Sequence, residues 1–458
     1  MVIKNGDEKM NEYVEKIKKE LDSINRMSLD EFVSMQNDKF HAILLHHYNN
    51  PYNPAYRNLL KEHGIESEGD LPKTTDEINK LPLVDRIFLR QGNFDKVPCV
   101  AEAEIYKIIQ TSGSTDNPLL FPYSYKSVKR LHGEFLVRSL IISNLDTDAL
   151  HYWVTHYTSE KDNWSSHAAA IMAKEILGSN VIDESTQATI PQHINNILKY
   201  RPKIVGSSPN FFLAVANNVK NNGINFKDSS LKEVFAAGSA FLDEERRYLK
   251  NILNLEKVLQ FYMTSECFTI GAEENESKGY CIYSDEHLAE IVDEENKQVT
   301  EGQKGKMLVT SLSMDSVPII RFSLGDEIKF LGKSAINNKF MIISDIKRLG
   351  EASFGDGLMH YTEIELIPRY ASSKGIPIMT IQLAKQKKEG KDLPVIRVET
   401  PIQDFTLVEK VIKEAFMQNS QMRNEIESGM ICSPKVEIYG PGHLRKGKFK
   451  VPIFINET

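Results

Sequence analysis

Between residues 201 and 266 three short apolar runs each lead into a small-residue or hydroxyl loop, and the first two go on into a helix. "RPKIVG" runs into Ser207-Ser208-Pro209 and then the helical "NFFLAVANNVKN". "LKEVFAAG" runs into Ser239-Ala240 and the helical "LDEERRYLKNIL", and "EKVLQF" runs into Tyr262-Met263-Thr264-Ser265-Glu266. Earlier in the chain "EIYKIIQ" runs into "TSGST" at 111–115. Short apolar strands that alternate with helices close a core as a largely parallel sheet with both faces covered. The loops after the strands of such a sheet share one edge, and ligands bind along it. The four polar loops are therefore expected to meet at one crevice.

The loop at 111–115 has two readings from its residues alone. Ser, Thr, Gly, Asp, Asn and Pro are the usual residues of a surface turn. The same small donors also suit a loop that cradles phosphate with backbone N–H groups and hydroxyls. A P-loop of the GxxxxGK[ST] type is excluded, because the next lysine after Gly113 is Lys126.

The flanks have different textures. Residues 8–65 read as helices interrupted by "NNPYNP". After residue 280 strands alternate with charged turns. From about residue 346 there follow a hairpin ("MTIQLAKQKKEGKDLPVIRVE"), one amphipathic helix ("FTLVEKVIKEAFMQNSQMRNEIE") and two strands around a basic turn ("PKVEIYGPGHLRKGKFKVPIFI"). At 458 residues the chain is too long for one ordinary core. The expected fold class is α/β. A large N-terminal α/β domain (1–345) has a mainly parallel sheet plus a β-rich section, and a small C-terminal α+β domain follows (346–458).

Charge narrows the partners. A net charge of −7 gives no electrostatic reason to expect nucleic acid or an anionic membrane. No uninterrupted apolar stretch approaches the ~20 residues that cross a bilayer, and the charged N-terminus lacks a signal-peptide core. The 4 cysteines, Cys99, Cys267, Cys281 and Cys432, are scattered, which gives neither a disulfide framework nor a CxxC metal site. A cytoplasmic, reducing location is expected.

The pieces together resemble one family, the AMP-forming, adenylate-forming ligases, and within it the phenylacetate–CoA ligase-like branch. "LPLVDRIFLRQGNF" resembles the segment before the phosphate loop, and "TSGST" the loop itself. "GSAFL" at 238–242 resembles the adenine-side segment, and "YMTSE" at 262–266 the Tyr-x-x-Ser/Thr-Glu motif. "RFSLGDE" at 321–327 resembles the segment whose aspartate grips ribose, and "PGHLRKGKFK" at 441–450 the turn with the adenylation lysine. The order holds over roughly residues 80 to 450.

The resemblance implies roles position by position. Thr111, Ser112, Gly113, Ser114 and Thr115 would hold the β- and γ-phosphates of ATP, the glycine letting backbone approach closely. Glu266 would sit on Mg²⁺, and Asp326 would accept the ribose hydroxyls. Gly238, Ser239 and Ala240 would flank the adenine with Tyr262, beside Met263, Thr264 and Ser265. Lys448 would reach the acyl carboxylate and α-phosphate. From the residues alone, Glu266 could be a solvent-facing loop carboxylate, Asp326 a turn residue, Tyr262 a core aromatic and Lys448 a solvated lysine.

Several positions depart from the family pattern. Asp116 stands where a glycine usually follows the hydroxyl run, Leu119 where a lysine is often found, and Met263 where glycine is usual. In "RLGEASFGD" Glu351 takes the hinge arginine's place, for which Arg348 could substitute. Only Cys267 and Cys281 stand where relatives carry a cysteine-rich zinc site, so no zinc is expected.

The implied activity is ATP- and Mg²⁺-dependent conversion of a small-molecule carboxylic acid to an acyl-adenylate with release of pyrophosphate, then transfer to a thiol. Coenzyme A is the expected acceptor. The alternatives are the phosphopantetheine of a carrier protein, an amine, or a non-catalytic relative that binds nucleotide or acyl-adenylate. The acid pocket is expected among residues 152–167, 207–212 and 236–241, with Trp153, Tyr157, Ser207, Phe211 and Ala237 as candidates. The first of these stretches could equally be a packed helix face. Neither the acid nor the oligomeric state can be read from the sequence.

Overall fold

In a computed structural model of the chain, the described residues are 4–110, 120–155, 165–185, 188–227, 229–237, 241, 243–334, 338–348, 350–354, 357–444 and 451–458. The N-terminal third is helical. It holds α1 (Lys4–Arg26), α2 (Leu29–Tyr48), α3 (Ala55–Glu62) and α4 (Arg86–Gln91). Ser28 and Glu31 form a reciprocal capping box at the start of α2, and Asp85 caps α4 through Phe88 N–H. Asn50 and Asn53 fold "NNPYNP" into a buried turn, their side chains bonding Tyr52 N–H, Ala55 N–H and the carbonyl of Cys99.

Strands β1 (Ile105–Gln110) and β2 (Leu120–Ser124) pair only with each other, antiparallel. This corrects one expectation: the 111–115 loop joins the arms of a hairpin and does not follow a strand of the large sheet. Next come α5 (Tyr125–Val128), a π-helical turn over Lys129–Glu134 and α6 (Phe135–Ile142). The alternating strands and helices then appear: β3 (His151–Thr155), α7 (Ser165–Leu177), β4 (Val181–Ser185), α8 (Ile190–Tyr200), β5 (Ile204–Ser207), α9 (Pro209–Asn221), β6 (Glu233–Ala236), α10 (Asp243–Leu253) and β7 (Lys257–Thr264). The β-rich stretch supplies β8 (Phe268–Glu273), β9 (Tyr280–Ile282), β10 (His287–Val292), β11 (Lys304–Ser311), β12 (Phe322–Lys333) and β13 (Met341–Arg348).

These strands make one 11-stranded sheet in the order β10-β11-β12-β13-β9-β8-β7-β6-β5-β3-β4. Strands β4, β3, β5, β6 and β7 run parallel, and from β8 onward every pairing is antiparallel. The β-rich section thus extends the same sheet. Along the parallel strands successive side chains enter different cores, as the two-residue repeat demands. Trp153, Ile204, Phe235 and Leu259 join one buried cluster, and Tyr152, Val205, Val234 and Val258 the other.

Strands β14 (Glu351–Phe354) and β15 (Gly357–His360) form a small hairpin before α11 (Tyr361–Ser373). Strands β16 (Thr380–Lys388), β17 (Lys391–Glu399), β18 (Lys435–Tyr439) and β19 (Phe454–Asn456) form a four-stranded sheet in the order β18-β17-β16-β19. A third buried cluster contains only residues from Ala352 to Ile431. The single amphipathic helix expected over 405–427 is two helices, α12 (Phe405–Phe416) and α13 (Ser420–Glu427). The break falls where Asn419 turns its side chain onto Met422 N–H and caps a new helix. Among the described residues no helix is long and apolar enough to cross a membrane.

A buried charge network fastens the N-terminal helices to the sheet. Arg138 of α6 donates to both carboxylate oxygens of Asp285 at 2.9 Å, and both residues are 1% exposed. Arg130 reaches Glu20 of α1, Glu134 and Glu286, while Lys39 of α2 pairs with Glu286 at 2.8 Å. Burial would raise the Glu286 carboxyl, but Lys39 and Arg130 outweigh it and hold it at about 2. Burial lowers His287 and His151 to about 4.

All three shifts act in the same direction. A depressed native pKa gives stability above the unfolded value that is lost as pH falls through the native one. The melting temperature should therefore fall as pH drops from about 6.5 to 4 through the histidines, and further below about 4.5 through Glu286. Thermal melts across that range check this, and His287→Gln should flatten the upper part of the slope.

Candidate active site

The carboxyl ends of β5, β6 and β7 lie side by side, so the loops after them share one edge. On β7 the alternation that turns Leu259 and Phe261 to one face turns Val258, Gln260 and Tyr262 to the other. Tyr262 is 7% exposed, and its hydroxyl donates to Asp326 Oδ2 at 2.7 Å. Asp326 is also buried and lies on β12 just after Gly325, whose φ of +74° is open to glycine at little cost. Register places Arg348 of β13 directly opposite Asp326. The expected adenine-side tyrosine and ribose-side aspartate, 64 residues apart in the chain, are thus hydrogen-bonded to each other.

Glu266 lies in the tight turn between β7 and β8 and is 3% exposed. Arg86, at the first position of α4, donates from Nε and Nη2 to Glu266 Oε1 at 2.9 and 2.7 Å, and from Nη2 to the Leu324 carbonyl at 3.3 Å. Leu324 is two residues from Asp326, so one guanidinium ties both carboxylate-bearing segments together. Tyr123 of β2 donates to the Ser265 carbonyl at 2.5 Å, which brings the β1–β2 pair to the end of β7. Thr264 Oγ1 accepts from Cys267 N–H at 3.0 Å and closes the turn. Met263 is half-buried against the main core.

Two non-glycine residues hold left-handed backbone beside these carboxylates: Phe268 at φ +62° and Arg321 at φ +46°. Such positions cost free energy and persist only where the surroundings over-determine them. Phe268 is pinned by the rings of Tyr123 and His132, each with its centroid 4.3 Å away. Arg321 is held by Glu290 at 3.0 and 3.1 Å and by the Leu81 carbonyl at 2.8 Å.

The expected acid-pocket residues are spread over both cores. Trp153 is 2% exposed, donates to His151 Nδ1 and packs edge-on to Phe235. Phe211 is buried between His193 and Phe212. Ser207 and Ala237 are half-buried at the sheet edge: Ser207 Oγ donates to the Val154 carbonyl at 3.0 Å, and Ala237 N–H to the Ser207 carbonyl at 3.2 Å. Thr111, Ser112, Gly113, Ser114, Thr115, Tyr157, Gly238, Ser239, Ala240 and Lys448 lie outside the described residues.

Arg86 and Tyr123 are site residues the sequence reading missed. The segment around Arg86 stood out, but the pairing with Glu266 spans 180 positions and leaves no local pattern. The donor set at Glu266 suits a hard cation. A buried carboxylate already sits against a guanidinium, and carboxylate oxygen is the ligand Mg²⁺ prefers.

With the geometry in place, the chain can be set beside known proteins. No protein-family model matches it. The phenylacetate–coenzyme A ligase of Pseudomonas putida is 26% identical over 333 residues, 71% of this chain and 73% of that enzyme. The Thermus thermophilus phenylacetate–coenzyme A ligase is 23% identical over 282 residues, 60% of each chain. Sequence and motifs point to the same branch. Among solved structures, 2-hydroxyisobutyryl-CoA ligase in its postadenylation state superposes with a TM-score of 0.69 at 17% identity, covering 92% of this chain and 89% of that one. The GH3.15 acyl acid amido synthetase superposes at 0.65 with 12% identity, covering 93% of both. The fold is that of the adenylate-forming ligases.

Two substitutions probe this site. Asp326→Ala should weaken ATP binding at least tenfold in a direct titration, because a hydrogen bond to a charged group contributes about 1.5–3 kcal/mol. Arg86→Met leaves Glu266 buried beside an apolar side chain. It should cost on the order of 1–2 kcal/mol of stability, discounted for the third of the arginine that is exposed. Chemical denaturation measures that loss, and saturating Mg²⁺ and ATP should recover part of it.

Proposed function

We propose that this protein is an AMP-forming acid–thiol ligase. It activates a carboxylic acid with ATP to an acyl-adenylate and pyrophosphate, then passes the acyl group to coenzyme A. One observation carries the reading: Tyr262–Asp326 and Arg86–Glu266, each from a separate motif, are joined at the end of β7 on the adenylate-forming fold. The curated relatives named above, all phenylacetate–coenzyme A ligases, support the activity and the choice of acceptor.

A carboxylate is a poor electrophile, and adenylation gives it a leaving group. Thr111 to Thr115 hold the β- and γ-phosphates with backbone and hydroxyl donors. Asp326 holds the ribose, oriented by the Tyr262 hydroxyl, and the 238–240 segment holds the base. Glu266 is the residue that would hold Mg²⁺, which when bound neutralises charge on the phosphate oxygens. Arg86 holds the Glu266 carboxylate in place through two hydrogen bonds to Oε1. Lys448 stabilises charge at the α-phosphate, the preorganised electrostatics that dominate such catalysis. Ser207 and Ala237 line the acid's end of the crevice.

The reading also divides the chain into a body at 1–345 and a smaller unit at 346–458. The separate buried cluster of the C-terminal residues supports this. A cytoplasmic setting is part of it too, supported by the free thiols of Cys99, Cys267, Cys281 and Cys432.

Pyrophosphate exchange against a panel of carboxylic acids tests the proposal. With the right acid, ATP should yield AMP and pyrophosphate, and stoichiometric ADP would overturn the reading. Competing coenzyme A, a phosphopantetheinylated carrier protein and simple amines as acceptors then identifies the nucleophile. Lys448→Ala should slow adenylate formation by ~10²–10³-fold, while transfer from supplied acyl-adenylate is largely spared. Equal loss in both half-reactions without a change in melting temperature would remove Lys448 from the adenylation step.

A further inference from the structure

Behind the crevice lies a buried polar cluster to which the reaction assigns no part. Arg246 of α10 donates to both oxygens of Glu273 on β8, at 2.8 and 3.0 Å, and to the Val258 carbonyl. Glu273 also accepts Gln260 N–H at 2.8 Å and Ser277 N–H at 3.2 Å. Gln260 Oε1 accepts three donors: Arg246 Nη2 at 2.8 Å, Tyr280 hydroxyl at 3.2 Å and Phe241 N–H at 2.8 Å. Every one of these side chains is buried.

The third donor is the informative one. Phe241 belongs to neither a strand nor a helix, so its N–H has no ladder partner, and a buried N–H left unpaired is costly. It is the residue immediately after the 238–240 segment. Its acceptor sits on β7 two residues before Tyr262, on the same face of the strand. Tyr280 continues the connection, its ring centroid 6.0 Å from that of Tyr262. The Arg246 guanidinium also lies over the Phe241 ring, 5.5 Å from its centroid. A buried ion pair is seldom the most stable filling for such a space, since apolar packing often does as well or better. This one supplies what apolar packing cannot: a fixed acceptor for the Phe241 N–H, which no strand or helix pairs.

We propose that Gln260, held by Arg246 and Glu273, is a positioning residue for the nucleotide: it ties Phe241, the residue after the expected base-side segment, to the strand that carries Tyr262, so that Phe241 and the Tyr262–Asp326 pair keep one spacing. This rests on the adenylation reading of that segment. Gln260→Met keeps the side chain's length and removes the acceptor, whereas Gln260→Glu keeps an acceptor at the same place.

Calorimetric titration with AMP, and separately with inorganic pyrophosphate and Mg²⁺, tests the idea, with a melting curve on each variant. Gln260→Met should lose about tenfold in AMP affinity, the usual consequence of orphaning buried donors, and keep its pyrophosphate affinity within about twofold. Gln260→Glu should retain most of the AMP affinity. Parallel loss of both ligands, tracking a fall in melting temperature, would show a purely structural cluster and overturn the proposal, as would unchanged AMP binding in Gln260→Met. A wild-type chain that binds no AMP overturns the adenylation reading and this proposal with it, and that failure shows before any variant is made.

Discussion

Strand β7 is hydrogen-bonded parallel to β6 on one side and antiparallel to β8 on the other. That double duty constrains everything around it. The parallel side requires helical crossovers, which send the loops after β5, β6 and β7 to one edge. The antiparallel side requires a tight return, so the chain turns within Ser265–Cys267 and starts β8 at once. Glu266 occupies that return and cannot swing outward as a residue of a long loop could. The carboxylate is buried because the sheet changes sense there, and a buried carboxylate needs a cation. Arg86 supplies it.

The buried ion pairs follow a similar logic at larger scale. Removing one partner of such a pair strands a charge and typically costs about 3–5 kcal/mol, whereas the intact pair adds little net stability. What the pairs provide is placement. Arg138–Asp285 sets α6 against the turn between β9 and β10, and the Arg130 cluster brings α1 and α2 to the same turn. Arg246–Glu273 sets α10 against β8. Helices that pack by apolar contact alone could slide by a turn, and these could not without breaking a bidentate bond.

The parallel units were legible because each apolar run is short, β-branched and closed by small polar residues, a pattern fixed by local burial. Strand β2 was not, since Pro122 argues against a strand in sequence and is tolerated only because β2 lies in an isolated two-stranded hairpin. The break at Asn419 was hidden by continuous amphipathic spacing, in which a capping asparagine looks like any polar surface residue. At the site, Tyr262, Glu266 and Asp326 stood out through their motifs, yet the Tyr262–Asp326 and Arg86–Glu266 bonds are products of tertiary packing. Trp153 shows the converse: its aromatic surroundings read as a binding stretch, and the strand turns the indole into the core.

The departures from the family pattern also change meaning in three dimensions. A glycine where Met263 stands would serve close approach between strands. Gly271, opposite Tyr262 on β8, instead serves a close approach to β9, where a Cβ would fall 2.3 Å from the Cys281 carbonyl oxygen. Tyr262 faces Gly271 and Met263 faces Thr269, so Ile270 is an extra residue, and the resulting bulge re-aims the end of β7. Met263 then rests against the main core while Tyr262 keeps its bond to Asp326. Methionine at 263 thus leaves the Tyr262–Asp326 bond in place. At the hinge, Glu351 begins β14, whereas Arg348 lies opposite Asp326. Strand register therefore places an arginine position opposite Asp326, although the linear motif has an acidic residue in the arginine's usual place.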